Sequence, residues 1–157
     1  MNTRYEFNMD VPPREAIRLL YVSKSRFGGD WNSVPHTHSC TEVFYCVDGR
    51  GQFNVEGKML DVAPDDMVIV NPRTLHTELS YQANPLEYVV LGVAGIEILF
   101  GKADSSYAIF NCRENRERMV TLLHMRRNRL SGSAGSAAEL AGTLHNALFA
   151  GGRNATV

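Results

Sequence analysis

The close spacing of turn signals between residues 49 and 66 constrains the fold more than any other feature of this sequence. Gly49-Arg50-Gly51, Glu56-Gly57 and Pro64-Asp65-Asp66 separate short segments that each contain apolar residues. Runs of this length suit β-strands and are too short for ordinary helices. Residues 67–70 are apolar at every position, as expected for a strand that is buried on both faces. The pattern predicts a mostly β fold, either a sandwich or a small barrel.

The individual strands are predicted from segments that contain apolar residues and are bounded by turn signals. Residues 1–16 are expected to form an irregular arm, because Pro12 and Pro13 block a helix there. Residues 49–51 are predicted to close a tight hairpin, since glycine adopts the positive φ that such turns need. The predicted strands cover residues 17–23, 52–55, 58–62, 67–70, 77–82 and 86–93. One further strand is predicted to begin at Trp31.

A set of polar side chains of one parity precedes the turn at residues 49–51. In an extended strand, His36, His38 and Glu42 would project from one face. Four residues of extended chain span about 13 Å, so His38 and Glu42 can reach one ion only if residues 39–41 bend or bulge. A further histidine, His76, follows a second apolar run. Imidazoles and a carboxylate that converge can hold a divalent metal or hydrogen-bond a polar ligand.

The spacing H-x-H-x3-E-x6-G from His36 to Gly49, followed by P-x-x-x-H from Pro72 to His76, resembles the two-part motif of the cupins. More narrowly, residues 31–76 resemble the N-terminal effector-binding domain of AraC/XylS-type transcription regulators. The resemblance implies a cupin double-stranded β-helix, or jelly-roll barrel, followed by two C-terminal α-helices. Asp65 stands where that family usually has glycine. Because aspartate tolerates positive φ better than most residues, the fold is expected to be unchanged.

The resemblance also implies which residues form the site. The expected metal ligands are His36, His38, Glu42 and His76, which would line a pocket at the barrel mouth. The ion would be Zn, Ni, Mn or Fe, and histidines satisfied by hydrogen bonds without any metal are the alternative. The expected ligand-binding residues are His36, His38, Glu42, Phe44, Phe53, His76, Glu78 and Tyr88. The three aromatic residues among them are pocket-wall candidates, although aromatic side chains on strands more often belong to the plain core, and no catalytic residue is expected.

The sequence pattern changes period after residues 1–108, which are expected to form the barrel. Asn111-x-x-Glu114 is typical of a capping box. Residues 109–152 are expected to form two helices with apolar faces, which would pack on the barrel or form a homodimer. Residues 153–157 are expected to begin a linker to a DNA-binding domain that lies outside this chain.

Composition limits the partners and the compartment. A net charge of −1 gives no electrostatic basis for tight binding of nucleic acid by this chain. Three irregularly spaced cysteines fit a reducing compartment better than a disulfide framework. The sequence contains neither an apolar signal core nor a run long enough to span a membrane, so a cytoplasmic location without a membrane partner is expected.

Two functions from different classes fit these features. The expected function is ligand sensing and dimerisation in an AraC-type transcription regulator, with a small-molecule effector inside the barrel and no catalysis. The alternative is a stand-alone metal-dependent cupin enzyme, such as a dioxygenase or an isomerase, in which the metal would act as a Lewis acid or activate oxygen. A metal-free sugar-binding module would explain the barrel but not the predicted helices.

Overall fold

The computed structural model describes residues 17–28, 33–100, 105–117 and 119. The predicted arm at residues 1–16 and Trp31 therefore lie outside the described residues. Within this part of the chain, no helix is long and apolar enough to cross a membrane. The described residues contain a short 3-10 helix, Arg113–Asn115, and eight strands: β1 (Arg18–Arg26), β2 (Thr41–Asp48), β3 (Gly51–Val55), β4 (Lys58–Val62), β5 (Asp66–Val70), β6 (His76–Ser80), β7 (Glu87–Ala94) and β8 (Tyr107–Asn111).

The described strands form two antiparallel sheets. One has five strands in the order β1-β7-β2-β5-β8, and the other has three in the order β4-β3-β6. Successive strands often lie in different sheets: β2 pairs with β5 and β7, whereas β3 pairs with β4 and β6. The mostly β fold predicted from the turn spacing is confirmed, and it takes the form of a sandwich.

Strand β2 lies at the centre of the five-stranded sheet and is buried on both faces. Phe44 packs toward the three-stranded sheet, in a cluster that includes Phe53 of β3. Val43 points the other way and packs with Ile69 of β5 in a second cluster. Since successive side chains of a strand alternate between faces, an uninterrupted apolar run is what such a central strand requires. Glu42 directly precedes this run and is buried at the same end of the strand.

The predicted hairpin at residues 49–51 is wrong, because the chain here crosses from β2 in one sheet to β3 in the other. Gly49 does adopt a positive φ, 77°. A Cβ atom at this position would lie 1.9 Å from the carbonyl oxygen of Pro85. Turn residues thus indicate a sharp change of direction, but they do not determine the strand with which β3 pairs. Asp65 takes a φ of 74°, as expected of an aspartate in a turn.

Strand β8 is missing from the predicted strands. It pairs with β5 from Asp66↔Asn111 to Val70↔Tyr107, so the predicted boundary at residue 108 falls inside a strand. Asn111 ends this strand and does not cap a helix, since Cys112 is the N-cap of the 3-10 helix. The Asn111 side chain instead accepts a hydrogen bond from the backbone N–H of Arg113 at 3.3 Å. The two helices expected within residues 109–152 lie, beyond Met119, outside the described residues.

Candidate metal and ligand site

Three histidines and a glutamate converge at one end of the sandwich. One potential ligand atom from each of His36, His38, Glu42 and His76 lies within 4.8 Å of the other three. His36 and His38 belong to the segment before β2, Glu42 is the second residue of β2, and His76 begins β6. The chain bends at Ser39 and Cys40 before the strand starts. This is the bend that His38 and Glu42 need if both are to reach one ion. The four residues named from the sequence are therefore brought together.

The imidazole rings of His36 and His76 are oriented by backbone carbonyl groups. His36 Nδ1 lies 2.9 Å from the carbonyl oxygen of Val34, and His76 Nδ1 lies 2.9 Å from that of Thr74. A carbonyl oxygen only accepts, so each Nδ1 carries the proton and donates. In the neutral rings, the lone pair then resides on Nε2. Backbone hydrogen bonds of 3.0 Å in both directions between His36 and His76 hold the two residues side by side.

Glu42 connects the histidines to strand β1. The Tyr21 hydroxyl donates to Glu42 Oε1 at 2.5 Å. Glu42 Oε2 lies 3.0 Å from His76 Nε2 and 3.4 Å from His38 Nε2. Burial would raise the pKa of Glu42, but the contacts with His76 and Tyr21 outweigh it and the pKa falls below its usual value. Burial would lower the pKa of His76, yet the Glu42 carboxylate and the Thr74 carbonyl raise it.

The donor set fits a divalent transition metal. Glu42 Oε2 and His76 Nε2 are buried and have no hydrogen-bond partner of good geometry among the described residues, although they face each other at 3.0 Å. Buried polar atoms are normally satisfied, and a proton on His76 Nε2 donated to Glu42 Oε2 would achieve that here without a metal. Imidazole nitrogens and one carboxylate oxygen are ligands of zinc and of comparable transition metals. An ion held by His36, His38, Glu42 and His76 would satisfy both atoms.

A cavity of about 710 Å³ opens beside this cluster. His36 and Glu42 of the cluster contribute to its lining, and Glu78 adds a second carboxyl group. Phe27, Phe44 and Tyr88 supply aromatic walls. Residues of β1 and its continuation complete the lining: Ser23, Lys24, Ser25, Arg26 and Gly28, with Val90 from β7. The volume is in the range of small-molecule sites, and polar or charged residues make up more than half of the lining.

The predicted ligand-binding residues divide into three groups. His36, Glu42, Phe44, Glu78 and Tyr88 line the cavity, whereas His38 and His76 belong to the four-residue cluster but not to the cavity wall. Phe53 does not line this cavity, because its ring is completely buried in the core with its centroid 4.9 Å from that of Phe44. Of the two alternatives weighed for Phe53, the structure shows plain core.

The contribution of strand β1 is absent from the sequence-based prediction. Tyr21 holds Glu42, and residues 23–28 form one side of the cavity. Strand β1 is recognisable as a short apolar run, but its sequence does not indicate that it pairs with β7 and borders the pocket. Gly92 is equally unmarked in the sequence. A Cβ atom there would lie 2.4 Å from two ring carbons of Tyr21, so the tyrosine ring occupies space that only glycine leaves open.

Gly92→Ala is expected to displace the Tyr21 ring and weaken its hydrogen bond to Glu42. Groups that orient a metal ligand typically contribute about 10–100-fold to metal affinity. We expect both Gly92→Ala and Tyr21→Phe to lower Zn²⁺ affinity within that range, as measured by competition with a chromophoric chelator. Because both substitutions remove the same hydrogen bond, the double variant should lose little more than either single variant. Independent, additive losses would show that Gly92 does not act through Tyr21.

Comparisons with known proteins agree with this architecture. Residues 27–92 match the protein family described as "Cupin domain". No curated protein matches the sequence. Among solved structures, the chain is similar to ToxT from Vibrio cholerae O395 bound to (E)-4-(8-methylnaphthalen-1-yl)but-3-enoic acid, with a TM-score of 0.59 and 9% identity over 87% of this chain and 56% of ToxT. It is also similar to the protein YhaK from Escherichia coli, with a TM-score of 0.50 and 11% identity over 68% of this chain and 49% of that protein.

A cupin protein from Bacteroides fragilis shares 16% identity, with a TM-score of 0.44 over 66% of this chain and 97% of that protein. At such identities, structural likeness describes the fold and not the activity. The chain spans about half the length of ToxT and of YhaK. The family match over residues 27–92 and the two-sheet sandwich together show that this chain contains a cupin domain.

Proposed function

We propose that this chain is the effector-binding domain of an AraC-type transcription regulator and that its cavity binds a small molecule. The observation that carries the proposal is the cavity of about 710 Å³, whose lining combines aromatic rings with polar and charged side chains. The spacing of the histidine–glutamate motif, which resembles that of AraC/XylS-type regulators, adds support. So does the likeness to ToxT, which extends over 87% of this chain and thus beyond the family match at residues 27–92.

The proposed role of the four-residue cluster is to hold the polar end of the effector. If a divalent ion is bound, it supplies a Lewis acid to an oxygen atom of the effector. Glu42 and His76 then act as its buried ligands, while Tyr21 keeps the Glu42 carboxylate in place. An effector regulates only through a difference in affinity between two states of the protein. Strand β1 is the proposed responding element, since it lines the cavity and also contacts Glu42 through Tyr21.

The alternative function is a metal-dependent cupin enzyme, and one observation favours it. Glu78 is only 5% exposed and lines the same cavity as His36 and Glu42, which are two of the candidate ligands. A carboxyl group facing a metal-bound substrate is placed to act as a general base. The two proposals differ in their requirement for Glu78: catalysis would depend on its carboxylate, whereas sensing requires only that the effector binds.

The regulator proposal predicts a homodimer that forms through the segment at residues 109–152. Substituting both Leu144 and Leu148 by aspartate should remove the apolar face of the second predicted helix and shift the protein from dimer to monomer in sedimentation velocity. Leu99→Asp is the matched control, because Leu99 is 93% exposed and its replacement should leave the sedimentation coefficient unchanged.

A monomeric starting protein, or a dimer that tolerates both aspartates, would contradict this assembly.

The gene offers a second test. A regulator predicts that the native reading frame extends past codon 157 through a further domain of about 100 residues with two helix-turn-helix units. A native stop codon at that point would favour the enzyme.

A further inference from the structure

We propose that the molecule bound in this cavity carries a cationic amine, which Glu78 and the surrounding aromatic rings hold. The inference rests on the proposed function, since it assumes that the cavity is a small-molecule site. It goes further by assigning the charge of the ligand and the side chains that recognise it.

Glu78 is the first observation. Its side chain is almost fully buried and lines the cavity, and within the described part of the chain it accepts one hydrogen bond, from the Tyr88 hydroxyl at 3.2 Å. Among the described residues, the ion pairs of lysine, arginine and histidine involve Glu42, Asp65 and Glu87, and none involves Glu78. His76 interacts electrostatically with Glu78, but its Nε2 already faces Glu42 Oε2 at 3.0 Å. A buried carboxylate without a positive partner of its own is costly, and a cation delivered by a ligand would offset that cost.

The two basic residues in the cavity lining do not neutralise Glu78. Lys24 Nζ lies 2.5 Å from Glu87 Oε1, and Arg26 Nε lies 4.0 Å from Glu87 Oε2. Both side chains are mainly exposed to solvent, so they are engaged at the surface by one shared carboxylate. Beside His36, the interior of the cavity thus presents the carboxyl groups of Glu78 and Glu42 to a ligand, and an anionic group close to Glu78 would be repelled.

The aromatic walls are the second, independent observation. The ring centroid of Tyr88 lies 5.3 Å from those of both Phe27 and Phe44. All three residues line the cavity in which Glu78 lies. The faces of aromatic rings attract cations, and cages of such rings are a recurrent means of binding ammonium groups. A neutral polyol could donate hydrogen bonds to the same carboxylate, but it carries no positive charge for the carboxylate and the ring faces to attract.

The test compares three probes of similar size: benzylamine, benzyl alcohol and benzoate. Dissociation constants are measured by ligand-observed NMR on chelator-treated protein, so that no probe binds through a metal. Benzylamine is expected to bind about tenfold more tightly than benzyl alcohol and more tightly still than benzoate. If benzyl alcohol binds but benzylamine shows no advantage, the charge assignment is overturned and the cavity remains a small-molecule site. If no probe binds, both this inference and the proposed function fail.

Two variants assign the preference to Glu78. Glu78→Gln retains the shape and an acceptor for Tyr88, and it should abolish the advantage of benzylamine over benzyl alcohol. Glu97→Gln is the matched control, because it removes the same charge from an exposed position outside the cavity lining. Tyr88→Phe leaves the carboxylate in place and should preserve the preference, which provides a second test should Glu78→Gln fold poorly. An amine preference that survives Glu78→Gln, or one that Tyr88→Phe removes, would overturn the proposal.

Discussion

Replacing both His36 and His76 by alanine is expected to abolish binding of a divalent transition metal while the sandwich remains folded. Each substitution removes one of four converging ligands, and losing an orienting contact alone typically lowers metal affinity about 10–100-fold. The loss of two ligands should therefore exceed about 100-fold. Zn²⁺ affinity measured by chelator competition, together with elemental analysis of protein purified without chelators, reports the effect.

Glu78→Gln provides the control for the metal experiment. Glu78 lies in the same cavity but outside the four-residue cluster, so this variant should retain the ion. The backbone hydrogen bonds between residues 36 and 76 do not depend on their side chains, and the sheet should survive the double substitution. Stoichiometric metal in the His36→Ala/His76→Ala protein would show that the ion, if present, is bound elsewhere.

Gly49→Ala is expected to destabilise the protein by about 3 kcal/mol or more, because positive φ and a steric clash act together. The added methyl group would lie 1.9 Å from the Pro85 carbonyl oxygen and 2.9 Å from the Leu86 Cα atom. Both are backbone atoms, so relief requires movement of the chain that leads into β7. Leu86 is fully buried in the core, and this movement would disturb its packing.

Gly57→Ala separates the two causes of that destabilisation. Gly57 has a φ of 83°, close to that of Gly49, but a Cβ atom there meets nothing within 4 Å. Its replacement should cost only about 1 kcal/mol, the ordinary conformational penalty. Urea unfolding followed by fluorescence gives both free energies of unfolding. Equal losses in the two variants would mean that the contact between Gly49 and Pro85 is unimportant for stability.

The sequence predicted side-chain positions correctly where they depend on the alternation of side chains within a single strand. The common parity of Glu42 and Phe44 places both on the inner face of β2, and both line the cavity. His76 could be paired with His36 only through a family resemblance, because residues forty positions apart meet through strand pairing that local patterns do not encode. The same limitation explains the misassigned turn at Gly49 and the absence of β8 from the predicted strands.

The role of Tyr21 was hidden for a related reason. A tyrosine in an apolar run is most simply a packing residue, and its meeting with Glu42 depends on the register of β1 against β7, where Tyr21 lies opposite Gly92. The register shifts between Leu19 and Tyr21, and the sequence does not predict this irregularity. The local sequence therefore predicted the strand, but it did not predict the hydrogen bond from Tyr21 to Glu42 that makes β1 part of the site.

In the described sheet, β1 has a strand on one side only, with β7 as its neighbour. Its tyrosine nevertheless reaches the carboxylate at the centre of the histidine cluster. A molecule or ion that moves the Glu42 carboxylate therefore either moves the Tyr21 hydroxyl with it or breaks their hydrogen bond. In both cases the change reaches β1, at the border of the sheet. A strand that has one partner can tilt without breaking a second row of backbone hydrogen bonds. Occupancy of the interior site is in this way coupled to the position of the edge strand, where a second protein surface could respond to it.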